Sequence, residues 1–111
     1  MTLRDHLVVD VGGRKLAVPT EHAREVAAAG WVTPVPTAPP LVAGVIQLRG
    51  QVLPVLDLSQ SGRPLRPEDS LLIVEYGPAR AALRVLELLP ADTPAERLDL
   101  GAIFDSIRAG T

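Results

Sequence analysis

Apolar residues run along this chain in short blocks broken by glycine and proline, and most of the blocks have the spacing of strands. Leu7-Val8-Val9-Asp10-Val11 reads as a strand, Gly12-Gly13 as a two-residue turn that needs positive φ, and Arg14 to Val18 as the returning strand. The same pattern recurs from Leu72 to Leu83, where Glu75, Gly77 and Arg80 supply an acid, a turn glycine and a base at matching offsets. Two similar β units are therefore predicted.

Between them the pattern is mixed. Pro19 to Gly30 has the grammar of a helix, with Thr20 as N-cap, Glu21 in the first turn, an alanine run and Gly30 as the stop. Propensity alone predicts a helix there. Thr33 to Pro40 holds four prolines, each lacking the N–H that a ladder requires, so an extended connector is expected. Gly44 to Leu48 and Val52 to Leu58 are two apolar runs around Arg49-Gly50-Gln51, which predicts a hairpin with Gly50 relieving strain in the turn. Pro54 is expected on an edge strand or at a bulge. Ser59 to Asp69, with Gly62, Pro64 and Pro67, reads as a surface loop. Ala95 to Arg108 reads as a helix with Leu98, Ile103, Phe104 and Ile107 on its apolar face.

Composition narrows what such a chain can do. Its 111 residues suffice for one small domain. Only Trp31, Tyr76 and Phe104 are aromatic, so the core must be aliphatic. Net charge is −2, and the basic residues form no block that could track phosphates, which argues against nucleic acid as a partner. With no cysteine there is no disulfide, thiolate nucleophile or cysteine-based zinc site, and a cytoplasmic location is the default expectation. No targeting segment opens the sequence and no apolar run nears the ~20 residues that span a bilayer, so no direct membrane contact is expected.

The inventory for catalysis is thin. His6 and His22 stand apart, and neither belongs to a metal-ligand spacing. Ser59, Ser61, Ser70 and Ser106 lack a nucleophile elbow, Gly12-Gly13 leads into a strand where a phosphate loop would lead into a helix, and Asp57 has no second acid in a similar setting. Asp57 reads as a cap for the residues just after its strand. No catalytic residue, metal ligand or cofactor site is expected. Arg49 leaves two readings open: an exposed hairpin arginine of little energetic weight, or a guanidinium fork that orients a carboxylate, internal or on a partner.

The stretch from Pro36 to Leu58, "PTAPPLVAGVIQLRGQVLPVLDL", resembles the signature of the CheW family, the adaptors that couple chemoreceptors to a histidine kinase in bacterial chemosensory arrays. "KLAVP" at Lys15 to Pro19 and "REV" at Arg24 to Val26 agree with it. The resemblance implies a mainly β fold, a pair of small SH3-like β-barrels. Here that is a single domain over 1–111, with a first barrel at about 7–58 and a shortened second barrel plus C-terminal helix at about 70–108. It also implies that the helix grammar of Pro19 to Gly30 gives way to one helical turn and then a strand.

By the same resemblance, Glu25 and Arg49 form a salt bridge beside the surface that receives the chemoreceptor tip. Glu25, Val26, Leu48, Arg49, Gly50, Val52 and Leu83 are the partner-binding candidates. Leu7, Thr20 and Ala23 fall on the kinase side, where Thr20 and Ala23 are smaller than the family's usual residues. From Ala81 to Leu89 the expected glycine and aspartate are missing, and strands of the second barrel are too. A receptor-directed, non-enzymatic adaptor with weakened or absent kinase coupling is the reading this favours. A full coupling adaptor is the nearer alternative and a small nucleic-acid-binding barrel the more distant one. The expected partners are a chemoreceptor, a CheA-like histidine kinase or another CheW-like protein, and a second copy through an uncovered strand edge.

Overall fold

The computed structural model describes residues 6–59 and 63–109. Among the described residues nine strands and one helix follow in order: β1 (His6–Asp10), β2 (Lys15–Pro19), β3 (Ala23–Ala28), β4 (Val42–Leu48), β5 (Gln51–Leu56), β6 (Ser70–Tyr76), β7 (Ala79–Val85), β8 (Glu87–Leu89), β9 (Glu96–Arg97) and α1 (Leu100–Ala109). A single 3-10 turn, Thr20–His22, joins β2 to β3. The strands make two sheets, in the orders β8-β1-β2-β9 and β3-β6-β7-β5-β4.

The sheets do not divide the chain into an early barrel at 7–58 and a late one at 70–108. Leu71 to Val74 on β6 and Ala81 to Val85 on β7 are apolar on both sides of their strands, apart from Arg84, and every one of these residues is buried. Such strands belong at the centre of a sheet. β6 and β7 accordingly lie between β3 and β5, while β8 and β9 join the first hairpin. One core, including Val9, Leu16, Val18, Leu56, Leu72, Leu83 and Phe104, lies between the sheets. A second fills the concave side of the five-stranded sheet with Ile46, Leu53, Val55, Leu71, Ile73 and Ala82.

That larger sheet closes into a barrel. Its edge strands are β3 and β4, and the chain beyond β3 swings across so that Thr33 and Val45 exchange two backbone hydrogen bonds of 2.9 Å. Gly44 makes the approach feasible, since a Cβ there would stand 2.7 Å from both the Thr33 carbonyl oxygen and Val32 Cγ1. Pro54, expected at an edge or bulge, sits instead in the inner strand β5 opposite Val45. Because Val45 spends its backbone groups on Thr33, the Val45–Pro54 pair is a non-hydrogen-bonded one, and the proline nitrogen faces β7 just before the parallel ladder begins at Val55. Its missing donor leaves no gap.

Helix propensity in Pro19 to Gly30 is overridden as the resemblance implies: one 3-10 turn, then β3. Antiparallel pairing to β6 outweighs preferences of at most ~0.7 kcal/mol per residue. The C-terminal helix begins at Leu100, five residues later than its pattern suggested, because the Asp99 carboxylate accepts the Ala102 N–H at 3.0 Å and fixes the start. Leu98 precedes it in extended chain, its N–H bound to the Ala17 carbonyl at 2.9 Å. Met1 to Asp5, and Ser61 and Gly62 of the Ser59–Asp69 loop, lie outside the described residues.

The recurrence seen in the sequence is a structural repeat. β1 and β2 pair with Asp10 opposite Lys15, and β6 and β7 pair with Glu75 opposite Arg80 in the same register. β9 runs parallel to β2 as β5 runs parallel to β7. Each of these parallel strands leads into Leu-Asp-Leu, at Leu56-Asp57-Leu58 and at Leu98-Asp99-Leu100. β8 flanks β1 as β3 flanks β6. Among the described residues, only β4 has no counterpart.

Candidate functional site

Arg49 and Gly50 are the two turn residues between β4 and β5, with φ of 49° and 81°. Two successive left-handed residues suit the twist of a hairpin, but a side chain with a Cβ is disfavoured there by about 1–2 kcal/mol. The turn projects the Arg49 guanidinium onto the Glu25 carboxylate of β3, where Nη2 donates to Oε2. The two side chains are 66% and 35% exposed, so this is a surface pair of small net weight. Its position matters more. β3 and β4 are the edges of the sheet, so the pair bridges the seam that Thr33 and Val45 close elsewhere.

Beside it lies a second set of charges. Arg24 Nε donates to Glu75 Oε1 at 2.8 Å, Arg80 Nε to Glu75 Oε2 at 2.5 Å, and Arg80 Nη1 to Gln51 Oε1. The hydrogen bonds from Arg24 and then Arg80 hold the Glu75 carboxyl below the usual glutamate range. The rim of the barrel thus presents three guanidiniums against two carboxylates, which suits a surface that meets acidic groups. On the opposite sheet, the Asp10 carboxyl is also lowered, first by the Gly12 N–H, with Gly13 and Lys15 adding to it.

Val26 and Val52 are exposed, at 48% and 64%, on the sheet face that carries Leu72, Leu83 and Leu56. Gly50 is exposed and Leu48 half-buried against the barrel core. Leu83 corrects the expectation: it is 1% exposed, because the smaller sheet covers the middle of this face, and a side chain so placed cannot touch a partner. Of the kinase-side candidates, Leu7 and Thr20 line an open cavity on the smaller sheet, and Leu7 and Ala23 both pack against the core between the sheets.

Sequence reading missed the buried pair. Arg84 and Asp57 are 6% and 5% exposed; Arg84 Nη1 lies 3.5 Å from Asp57 Oδ2 and donates to the Arg63 carbonyl at 2.9 Å. Nη2 reaches Asp69 at 3.4 Å. Asp57 Oδ1 also accepts from the Ser59 N–H and hydroxyl, so its capping role holds and is joined by a structural one. The signal was a lone arginine in the apolar run Ala81 to Val85. Among the described residues no three His, Asp or Glu side chains converge as metal ligands, and no helix is long and apolar enough to cross a membrane.

Residues 5–93, most of the chain, fit the CheW-like domain model. The chain belongs to the CheW-like domain family. This CheW-like chain is 52% identical over 48 residues to protein FrzA of Myxococcus xanthus, a match covering 43% of the chain and 30% of that protein. It is 43% identical over 58 residues to chemotaxis protein CheW of Rhizobium meliloti (strain 1021), covering 50% of the chain and 36% of that protein. Among solved structures, scaffolding protein TtCheW from Thermoanaerobacter tengcongensis aligns with a TM-score of 0.62 at 26% identity, over 79% of this chain and 62% of that one. The match spans about a third of each curated relative's length. The fold is that of a CheW-like protein.

Proposed function

We propose that this CheW-like chain is a non-enzymatic adaptor of a bacterial chemosensory complex, working in the cytoplasm. In this reading it receives the cytoplasmic tip of a chemoreceptor at the barrel rim around Glu25 and Arg49, with Val26 and Val52 as apolar contacts. One observation carries the proposal: Arg49 holds a left-handed conformation in which glycine or asparagine would be cheaper, and that conformation aims its guanidinium across the barrel seam at Glu25. Strain kept at an exposed turn is a mark of function. Leu48 and Gly50 shape the turn, and Leu83 packs in the core between the sheets.

Kinase coupling is weak in this reading. Thr20 and Ala23 offer little apolar area for an anchor, and a hot spot needs a large buried side chain. In its reduced second half the chain resembles FrzB, the small CheW-like component of a gliding-bacterium chemosensory system. The test is a side-by-side titration of a receptor tip fragment and a kinase regulatory domain. Receptor binding is expected to fall at least tenfold in Arg49→Glu and to recover partly in Glu25→Arg/Arg49→Glu. Unchanged receptor affinity in Arg49→Glu removes the rim from the binding surface, and equal affinity for the kinase domain makes the chain a full coupling adaptor.

A further inference from the structure

We propose that the outer edge of β9, free among the described residues, takes up an extended strand of a partner protein, one that carries a carboxylate opposite Arg97 and a large aliphatic side chain two residues later, opposite Ala95. The repeat within the chain points to this occupant, independently of any receptor contact at the rim. In the five-stranded barrel, β4 lies antiparallel against β5 with Gly44 opposite Val55 and Ile46 opposite Leu53. Ile46, Leu53 and Val55 are 4%, 3% and 0% exposed and fill the interior. Aligning the two Leu-Asp-Leu segments puts Arg97 in the place of Val55 and Ala95 in the place of Leu53.

The backbone there is ready for a neighbour. The Leu98 N–H turns inward to the Ala17 carbonyl, so strand alternation directs the Arg97 N–H and C=O to the side away from β2. Beneath this edge is an open cavity of about 1610 Å³, lined by Leu7, Ala17, Thr20, Ala95 and Arg97 among others. Its sister is filled.

The side chains specify the occupant. Arg97 makes no ion pair among the described residues, and a guanidinium enclosed by a fifth strand would lose water and require a carboxylate in exchange. Ala95 is smaller than Leu53, which leaves room for an aliphatic group at least as large as that of Ile46. β4-like geometry fixes the order, acid first and aliphatic second, along an antiparallel strand.

The probe is a synthetic peptide, Val-Ala-Asp-Val-Ile-Gln-Leu with two serines at each end, titrated into the full chain labelled with nitrogen-15. Saturable shifts are expected at the amides of Ala17, Ala95, Glu96 and Arg97, with slowed exchange of the Arg97 N–H. Replacing the peptide's aspartate by lysine is expected to weaken binding at least tenfold, and Arg97→Glu to reverse that preference while leaving the rest of the spectrum in place. Silence of these amides at millimolar peptide, or indifference to the peptide's charge, overturns the proposal. So does Arg97 protection that rises with protein concentration alone, which would assign the edge to a second copy. Receptor titrations are unaffected by any of these results.

Discussion

The β6–β7 hairpin and the β1–β2 hairpin share register, turn position and an acid–base pair next to the turn, yet they stand in different surroundings. The first is flanked on both sides by full-length strands and roofs a filled interior; the second is flanked by strands of three and two residues and faces a cavity. Ile73 and Val8 occupy equivalent positions, and both are 1% exposed. What differs is what their neighbours bring. β4 and β5 deliver Ile46, Leu53 and Val55 to the closed barrel, whereas β9 delivers Arg97 and has no outer partner among the described residues. A hairpin of this kind is a template, and the strands laid beside it decide whether it encloses a core.

The contrast can be broken most forcefully at Arg84, whose equivalent in the other hairpin is Pro19. Arg84→Leu leaves Asp57 buried without its counter-charge, and urea unfolding is expected to show a loss of about 3–5 kcal/mol. Asp57→Leu/Arg84→Leu should recover part of it. Next come the equivalent core positions. Ile73→Ala is expected to cost about 2–5 kcal/mol, with its cavity term, and Val8→Ala about 1–2 kcal/mol, near the transfer value of two methyl groups. Equal costs would mean that the two interiors are alike. Gly44→Ala pushes a methyl against Thr33 and Val32 at the seam, and the same unfolding measurement should register about 1–3 kcal/mol.

Smaller effects sharpen the picture of the rim. A double-mutant cycle on Glu25 and Arg49 is expected to give a coupling below about 1 kcal/mol in stability, so that any large loss of receptor binding reflects the surface and not unfolding. Glu75 has a carboxyl lowered by Arg24 and Arg80, so its contribution is complete above the ordinary value of 4.5 and fades as pH falls through the lowered one. Denaturation from neutral to acidic pH should therefore show wild type losing more stability than Glu75→Gln, by an amount that shrinks with added salt.

Much of this was legible in the residues. Turn glycines, apolar blocks and the proline connector marked the three hairpins and the extended crossing, and the Leu72 to Leu83 recurrence anticipated the repeat. Partition into sheets was not legible, because pairing β3 with β6 and β5 with β7 depends on contacts far apart in the chain. The Glu25–Arg49 pair was reached through resemblance, since nothing in the spacing of a strand acid and a turn arginine says that a barrel seam will join them. Leu83 was misplaced for a related reason: a strand pattern tells which residues share a face, but not which part of the face a second sheet will cover. Arg84 was passed over although it is a charge in an apolar run, because two of its partners, Arg63 and Asp69, lie in a loop far from it in the chain.

The pairing of Leu16 with Glu96 joins residues roughly eighty positions apart, a long span to close before any ladder bond rewards it. During synthesis the β1–β2 hairpin emerges ahead of β8 and β9 and waits for both before its sheet is complete, while the barrel built on β3 to β7 can assemble in the meantime. Of the two sheets, the one begun first is thus finished last, and a nascent chain passes through a stage with one sheet set and the other still half bare.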